Sequence, residues 1–197
     1  MSEPPSPTVT ASCAVVGRVV VGRVVVVGTD EQDELAVDVT RWCQLAAKAL
    51  EDGGAAGELS LTFVDRDEIA ALNAAHLGHE GPTDVLSFPL DEDFDVDVGV
   101  DVDLDVDGAT AAADSTVPIL LGDVVVCPGV AADQAATHAG TLDDELALLV
   151  VHGVLHVRGH DHARADDSRR MRTRELELLQ RHHWAGPPPS GFRQEEV

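Results

Sequence analysis

The chain has 197 residues, of which 44% are hydrophobic and 3% aromatic. This length and composition predict one globular domain with a proper hydrophobic core. The three cysteines, Cys13, Cys43 and Cys127, are far apart and form no CxxC pair. Their pattern favours a reducing compartment, with the cytoplasm as the expected location, and argues against cysteine ligands for a metal.

The formal net charge of −23 opposes binding of a polyanion by the surface as a whole. Residues 91–107 hold nine acidic residues and no basic one, whereas seven of the 13 Lys and Arg residues lie from Arg158 to Arg181. Cationic contacts with a nucleic acid are therefore expected only from this C-terminal segment.

The Val-rich residues 14–27 are too few to span a bilayer, and they include Arg18 and Arg23. The residues before them contain Glu3 and no Lys or Arg, so they lack the positive start of a secretory signal. We expect no targeting segment and no membrane partner.

Residues 1–18 are predicted to form a disordered tail, because their first part is rich in Pro, Ser and Thr. A single domain is predicted over 19–181, and a flexible tail over 182–197. In the first half, one buried strand is predicted within 15–27, and a Val-Gly-Arg repeat extends it in an ambiguous register. An amphipathic helix over 33–50 and a strand over 59–64 follow. The next predicted element is a helix over 65–77 that opens with an Asp65–Glu68 capping box.

The second half is predicted to contain two strands and three helices. Pro89 marks the first of these strands as an edge strand, because proline cannot donate to a ladder. Pro128 suits the first position of a helix, and Thr141 suits the N-cap of the next one. The predicted ranges are strands over 85–90 and 117–126, and helices over 128–140, from 141 to about 158, and over 166–181.

An acidic insertion at 91–116, in which Asp and Val alternate, separates these two strands. Its period of two formally fits a strand, but Asp has poor strand propensity and like charges in a row repel. Asp103, Asp105 and Asp107 also match the opening of a calcium loop, although no helix precedes them and Asp114 replaces the usual Glu. We interpret the insertion as a hydrated loop.

The segment that organises the chain contains three histidines. His152 and His156 are four residues apart, so on a helix they share one face and can bind one metal ion. Gly159 can end the helix in a left-handed conformation, and the turn brings His162 back toward the first two. Three imidazoles with an open fourth position are typical of catalytic zinc, so His152, His156 and His162 are the predicted ligands of one Zn²⁺ per chain.

The same spacing occurs in metzincin proteases, where a Glu after the first His acts as the general base. Gly153 stands at that position here. A zinc peptidase without this carboxylate loses a proton-transfer contribution of about 10²- to 10⁴-fold in rate. Peptidase-like zinc hydrolysis is therefore the weaker alternative.

Three segments together resemble the YbeY family: Gly81 to Pro89, Leu121 to Val124, and the histidine motif. The similarity extends over most of residues 24–181. It implies a zincin-like α/β fold with a small mixed sheet and about five helices, in which a metal-binding helix is followed by a Gly turn. It also implies that the three histidines bind zinc. Leu77 departs from the pattern, since several members carry an Arg there that is thought to contact substrate.

The resemblance further implies a single-strand-specific, zinc-dependent endoribonuclease that matures the 3′ end of 16S rRNA and acts in 70S ribosome quality control. The implied partners are single-stranded RNA and the small ribosomal subunit or its assembly factors, with no role for DNA. A ribosome assembly factor with structural zinc is a further alternative, and it differs from the enzyme in lacking strong RNA cleavage.

Four further predictions concern the surroundings of the metal. Asp161 is expected to hold a ligand imidazole in its metal-binding tautomer or to transfer a proton. Arg158 is expected to clamp phosphate with its planar fork, and His160 to contact phosphate or face solvent. Arginines of the last helix are expected either to extend this phosphate-contacting surface or to form a solvated face; they are Arg169, Arg170, Arg172 and Arg174.

Overall fold

A computed structural model describes residues 15–90, 119–161 and 164–194. In these ranges the chain forms one mixed α/β domain with five strands and five helices. The elements are β1 Val15–Val21, β2 Val24–Asp30, α1 Val39–Asp52, β3 Gly57–Phe63, α2 Arg66–His76, β4 Val85–Pro89, β5 Leu120–Val126, α3 Pro128–Ala135, α4 Leu142–Val157 and α5 Ala165–His182. The predicted small mixed sheet with about five helices is confirmed. The insertion at 91–116 and the predicted ligand His162 lie outside the described residues.

The sheet has the order β1-β2-β3-β5-β4. Its three central strands are parallel, and each outer strand is antiparallel to its neighbour. The predicted edge position of β4 is confirmed, and Pro89 is its last residue. Since this strand contacts α4, the helix of the histidines lies against one edge of the sheet.

The Val-Gly-Arg repeat forms a hairpin rather than one extended strand. Val21 pairs with Val24, so Gly22 and Arg23 make the two-residue turn. Gly22 has a φ of 56°, which glycine adopts without the steric cost that other residues meet. Because the repeat supplies two similar valine runs around this turn, both can pair. The first strand consequently begins at Val15, before the predicted domain boundary at residue 19.

The helix boundaries differ from the predicted ones mainly where a side chain closes a local turn. The first helix begins at Val39 instead of residue 33, because the Gln32 side chain bonds the main chain of Leu35 through both its oxygen and its nitrogen. The predicted caps at Asp65 and Thr141 are confirmed, since each side chain accepts the backbone N–H three residues later. Helix α3 ends at Ala135, before the predicted Gly140.

Helix α4 is the central helix of the domain. It packs against α1, α3, α5, β4 and β5. From Asp144 to Val157 every residue is buried except His152 and His156. A helix buried all round explains the continuous apolar sequence, and it leaves these two imidazoles as the polar groups that reach the surface along this stretch.

The predicted flexible tail from residue 182 packs onto the domain as far as residue 194. Trp184 donates from Nε1 to Asp144 Oδ1 at 2.6 Å, and His183 Nε2 lies 3.0 Å from the same oxygen. Phe192 meets the Trp184 ring edge-on, with centroids 4.7 Å apart. The buried carboxylate and the aromatic contact hold this segment, although no periodic sequence pattern marks it. Among the described helices, none combines the length and hydropathy needed to cross a membrane.

The pH dependence of stability is expected to depend on Asp52, at the end of α1. Hydrogen bonding with His182, and then with Arg181 and Arg174, lowers the pKa of Asp52 to about 2 against the opposing effect of burial. A depressed folded pKa adds stability that is complete above the unfolded pKa of about 4 and is lost as pH falls toward about 2. Asp52→Asn should therefore lower the free energy of unfolding at pH 6. Between pH 6 and pH 2 this free energy should decrease less in the variant than in the wild type, as measured by urea titration at each pH. Asp33→Asn, at an exposed position, should have neither effect. If the free energy of unfolding has the same pH dependence in both variants, Asp52 is not the group responsible.

Candidate metal centre

The two histidines of α4 face one another across a short gap. Their Nε2 atoms are 3.0 Å apart, and their ring centroids are 4.6 Å apart with the planes at 75°. Residues four apart lie one above the other on a helix, so the predicted juxtaposition of His152 and His156 is confirmed. Both side chains are partly exposed, which allows access to the gap.

A buried carboxylate sets the tautomer of the first histidine. His152 Nδ1 donates to Glu175 Oε1 on α5 at 2.7 Å, and Glu175 is only 4% exposed. With the proton on Nδ1, His152 Nε2 is left as an acceptor that points at His156. Gln194 holds the other carboxylate oxygen of Glu175, donating from Nε2 at 2.8 Å. The imidazole is thereby fixed in the tautomer that metal ligands need.

The nitrogen pair fits two ligands of a tetrahedral ion. Zinc binds imidazole nitrogen at about 2.0–2.1 Å, which at the tetrahedral angle separates two such nitrogens by about 3.3 Å. The 3.0 Å gap between the two Nε2 atoms needs to open by only a few tenths of an ångström. Within the described ranges no group of three or more His, Cys, Asp or Glu residues is arranged to hold a metal. His162 as the third ligand therefore stays a prediction.

The turn after α4 has the predicted form. Helix α4 ends at Val157, and Gly159 has a φ of 78°, in the left-handed region that favours glycine. Its N–H donates to the carbonyl of His156 at 2.9 Å. The turn redirects the chain toward α5 at the end of α4 that carries the two imidazoles.

Gly153 is glycine because the sheet lies against it. A Cβ at this position would lie 2.6 Å from Val124 Cγ1 and 3.2 Å from Ser87 Oγ. A glutamate there would require the Val124 side chain or the helix to shift, so it is disfavoured. The missing metzincin-type base is thus explained by close packing, and the Glu175 carboxylate does not replace it, since it lies on the Nδ1 side of His152.

The structure places Asp161 and Arg158 as follows. Glu175 is the carboxylate that holds His152, and Asp161 is exposed, so its role toward a ligand imidazole or in proton transfer stays a prediction. Arg158 is two residues after His156, about 200° around the helix axis, and its guanidinium donates to the Gly53 carbonyl at 3.2 Å. The structure thus brings Arg158 to the end of α1. Phosphate binding by Arg158 stays a prediction.

His160 is exposed beside two cations. Desolvation, and then repulsion by Arg174 and Arg158, lowers the pKa of His160, so the neutral form is favoured. The open surface next to it contains arginines of α5 that pair within their own helix: Arg169 with Asp166, Arg170 with Asp167, and Arg174 with Glu177. These pairs fit the alternative prediction of a solvated, largely neutralised face. Leu77, at the position of the departure from the YbeY pattern, is 57% exposed.

Sequence reasoning missed Glu175, although a signal was present. Met171, Leu178 and Leu179 are the buried apolar residues of α5, and Glu175 lies at helical spacing among them. A carboxylate on the apolar stripe of an amphipathic helix needs a buried partner. The histidine on the neighbouring helix is that partner.

The described fold and site define a single-domain α/β protein with a histidine pair on its central helix. A family model described as Endoribonuclease YbeY matches residues 27–183. The chain belongs to this family.

Several relatives of the same name match the chain. The chain is 46% identical over 145 residues to the Endoribonuclease YbeY of Salinispora tropica, which covers 73% of this chain and 87% of the relative. It is 38% identical over 168 residues to that of Mycolicibacterium vanbaalenii, with 85% and 82% covered. The solution structure of TM1509 from Thermotoga maritima is 24% identical, with a TM-score of 0.46, and covers 77% of this chain and 88% of that one.

Gly153→Ala is expected to destabilise the fold. Alanine in a helix interior normally gains about 1 kcal/mol over glycine, but the contact with Val124 makes this an overpacking change that costs about 1–3 kcal/mol. Urea denaturation of Gly153→Ala, Val124→Ala and the double variant measures the coupling. The glycine substitution should cost less when Val124 has been shortened. If Gly153→Ala alone is as stable as the wild type, the packing explanation is excluded.

Proposed function

We propose that the protein is a zinc-dependent endoribonuclease that hydrolyses phosphodiester bonds of single-stranded RNA. The observation that carries the proposal is the pair of Nε2 atoms 3.0 Å apart on α4, with Glu175 fixing the tautomer of His152. Membership of the endoribonuclease YbeY family supports the RNA substrate. We assign His152, His156 and His162 as the ligands of one Zn²⁺ per chain.

Two residues of the chain, Glu175 and Gly153, prepare the site. Glu175 holds the His152 ring and raises its basicity as a ligand. Gly153 lets α4 lie close to Val124 of β5 and Ser87 of β4. Zinc, when bound, supplies a Lewis acid for a phosphoryl oxygen and a water of lowered pKa. Asp161, one residue before His162, is assigned either to hold a ligand imidazole or to transfer a proton.

The proposed biological reaction is maturation of the 3′ end of 16S rRNA together with 70S ribosome quality control, in the cytoplasm. This part rests on the family resemblance, and it implies the small ribosomal subunit or its assembly factors as partners. The peptidase-like alternative is weaker, because the close contact of Gly153 with Val124 disfavours a glutamate there. The alternative of an assembly factor with structural zinc is separated by the experiment that follows.

His156→Ala should lose both zinc and RNA cleavage, because it removes one of the two described imidazoles. The wild type should retain about one zinc per chain after dialysis and cleave single-stranded RNA, with a chelator abolishing cleavage. Analysis of the product ends separates attack by water from attack by the substrate 2′-hydroxyl. His79→Ala, which removes an exposed imidazole, is the matched control and should retain both properties.

Two outcomes would contradict the proposal. Cleavage that persists in His156→Ala at wild-type rate excludes this metal centre as the catalyst. Zinc bound by a wild type that leaves RNA intact at every salt concentration excludes the nuclease, and binding of small-subunit particles that survives His156→Ala would then favour the assembly-factor alternative.

Glu175→Gln should weaken zinc binding by about 10- to 100-fold, the usual effect of losing a partner behind a ligating histidine. Glutamine keeps the size and a hydrogen-bond acceptor but removes the charge that raises ligand basicity. Competition with a chromophoric chelator measures the affinity without reference to catalysis. Glu177→Gln is the matched control, since Glu177 is exposed and pairs with Arg174. Equal affinities of both variants and the wild type would show that Glu175 has no part in metal binding.

A further inference from the structure

A cavity of about 190 Å³ lies between α4 and α5, immediately beside His152. One turn before His152, the side chains of Leu148 and Leu149 line it from α4. The remaining lining residues described are Asp84, Val85, His138, Ser168, Met171, Arg172, Glu175 and Gln194. Because His152 belongs to both, the cavity adjoins the proposed metal centre.

The cavity combines apolar contact surface with hydrogen-bonding groups. Leu148, Leu149 and Met171 supply its apolar walls. Ser168 and Arg172 bring a hydroxyl and a guanidinium to the same space, whereas the amide nitrogen of Gln194 already donates to Glu175 and to the Arg172 carbonyl. A pocket with an apolar lining and a few placed polar groups is the usual form of a small-ligand site.

Two histidines of the cavity wall are held rigidly by buried carboxylates. His138 Nδ1 lies 2.7 and 3.0 Å from the two oxygens of Glu145, which is fully buried and also accepts the Ala139 N–H at 3.0 Å. His152 is held by Glu175 in the same manner, at 2.7 Å. These two rigidly held side chains fix the shape of the cavity wall.

Charge and size decide what the cavity accepts. Two carboxylates, Asp84 and Glu175, line it against one guanidinium, that of Arg172, so a phosphate is disfavoured. Its volume is below the roughly 300–1,000 Å³ of pockets that enclose whole drug-sized ligands, which matches one ring system and not a complete nucleotide. A neutral, flat ligand with donors and acceptors on its edge meets these conditions.

We propose that this cavity receives one unpaired nucleobase of the RNA, turned out of the strand beside the scissile phosphate. Proteins that read single-stranded RNA bind splayed bases by contact with the ring face and by hydrogen bonds to the base edge. The proposal rests on the proposed function, and it makes Ser168 and Arg172 base-contacting residues. It also explains why a protein with a net charge of −23 can select RNA without a broad basic surface.

The test is an abasic scan of a short single-stranded RNA with one cleavage site. Each nucleotide in turn loses its base, and kcat/KM is measured for each oligonucleotide. We expect one position next to the scissile bond to lower kcat/KM at least tenfold, chiefly through KM. Ser168→Leu, which places a larger side chain in the cavity, should lower kcat/KM for intact RNA and remove the difference between intact and abasic RNA. Gln44→Leu on the exposed face of α1 should preserve the difference.

The base pocket can be tested separately from the proposed nuclease activity. For this, the affinity of the metal-depleted wild type for intact and abasic RNA is measured by fluorescence anisotropy. If RNA is bound with the same abasic discrimination but is not cleaved, the base pocket stands and the proposed catalysis fails. Uniform affinity and uniform cleavage across the abasic series would overturn the pocket, as would full discrimination retained by Ser168→Leu. Should Ser168→Leu not fold, as judged by circular dichroism, Arg172→Leu at a partly exposed position takes its place with the same expected loss.

Discussion

The hydrogen bond from His152 Nδ1 to Glu175 joins the two helices on which the site depends. It directs Nε2 toward His156, anchors the buried carboxylate of α5, and forms part of the cavity wall between the helices. A buried carboxylate costs free energy unless it is paired, so the imidazole, together with Gln194, stabilises this register of α5. The same contact thus contributes to the packing of α5 and to the orientation of His152.

Buried carboxylates recur at the other contacts that hold α4. Glu145 holds the loop before the helix through His138 and Ala139, and Asp144 holds the C-terminal segment through Trp184. Among the described residues, each buried side-chain nitrogen or oxygen has a hydrogen-bond partner. Such fully paired polar groups specify one arrangement of the elements around α4, because any shift would leave a buried charge unpaired. The apolar core alone would tolerate several arrangements.

Local signals in the sequence predicted most elements, while contacts between distant segments were not predictable. The caps at Asp65 and Thr141 and the edge strand ending at Pro89 depend on neighbouring residues, so their prediction succeeded. The facing histidines follow from helical spacing for the same reason. Glu175, the carboxylate partner of His152, was not predicted, because it lies 23 positions away in the sequence. Only the packing of α5 on α4 brings the two side chains together.

The coordination of zinc in the purified protein tests the central claim most directly, by X-ray absorption at the zinc edge. Three imidazole nitrogens at about 2.0–2.1 Å and one further oxygen ligand are predicted, as in catalytic sites with three protein ligands. His162→Ala should lose zinc on dialysis, as His156→Ala should, because only two imidazoles remain in either variant. Sulfur in the coordination shell, or four protein ligands that leave no open position, would contradict the account.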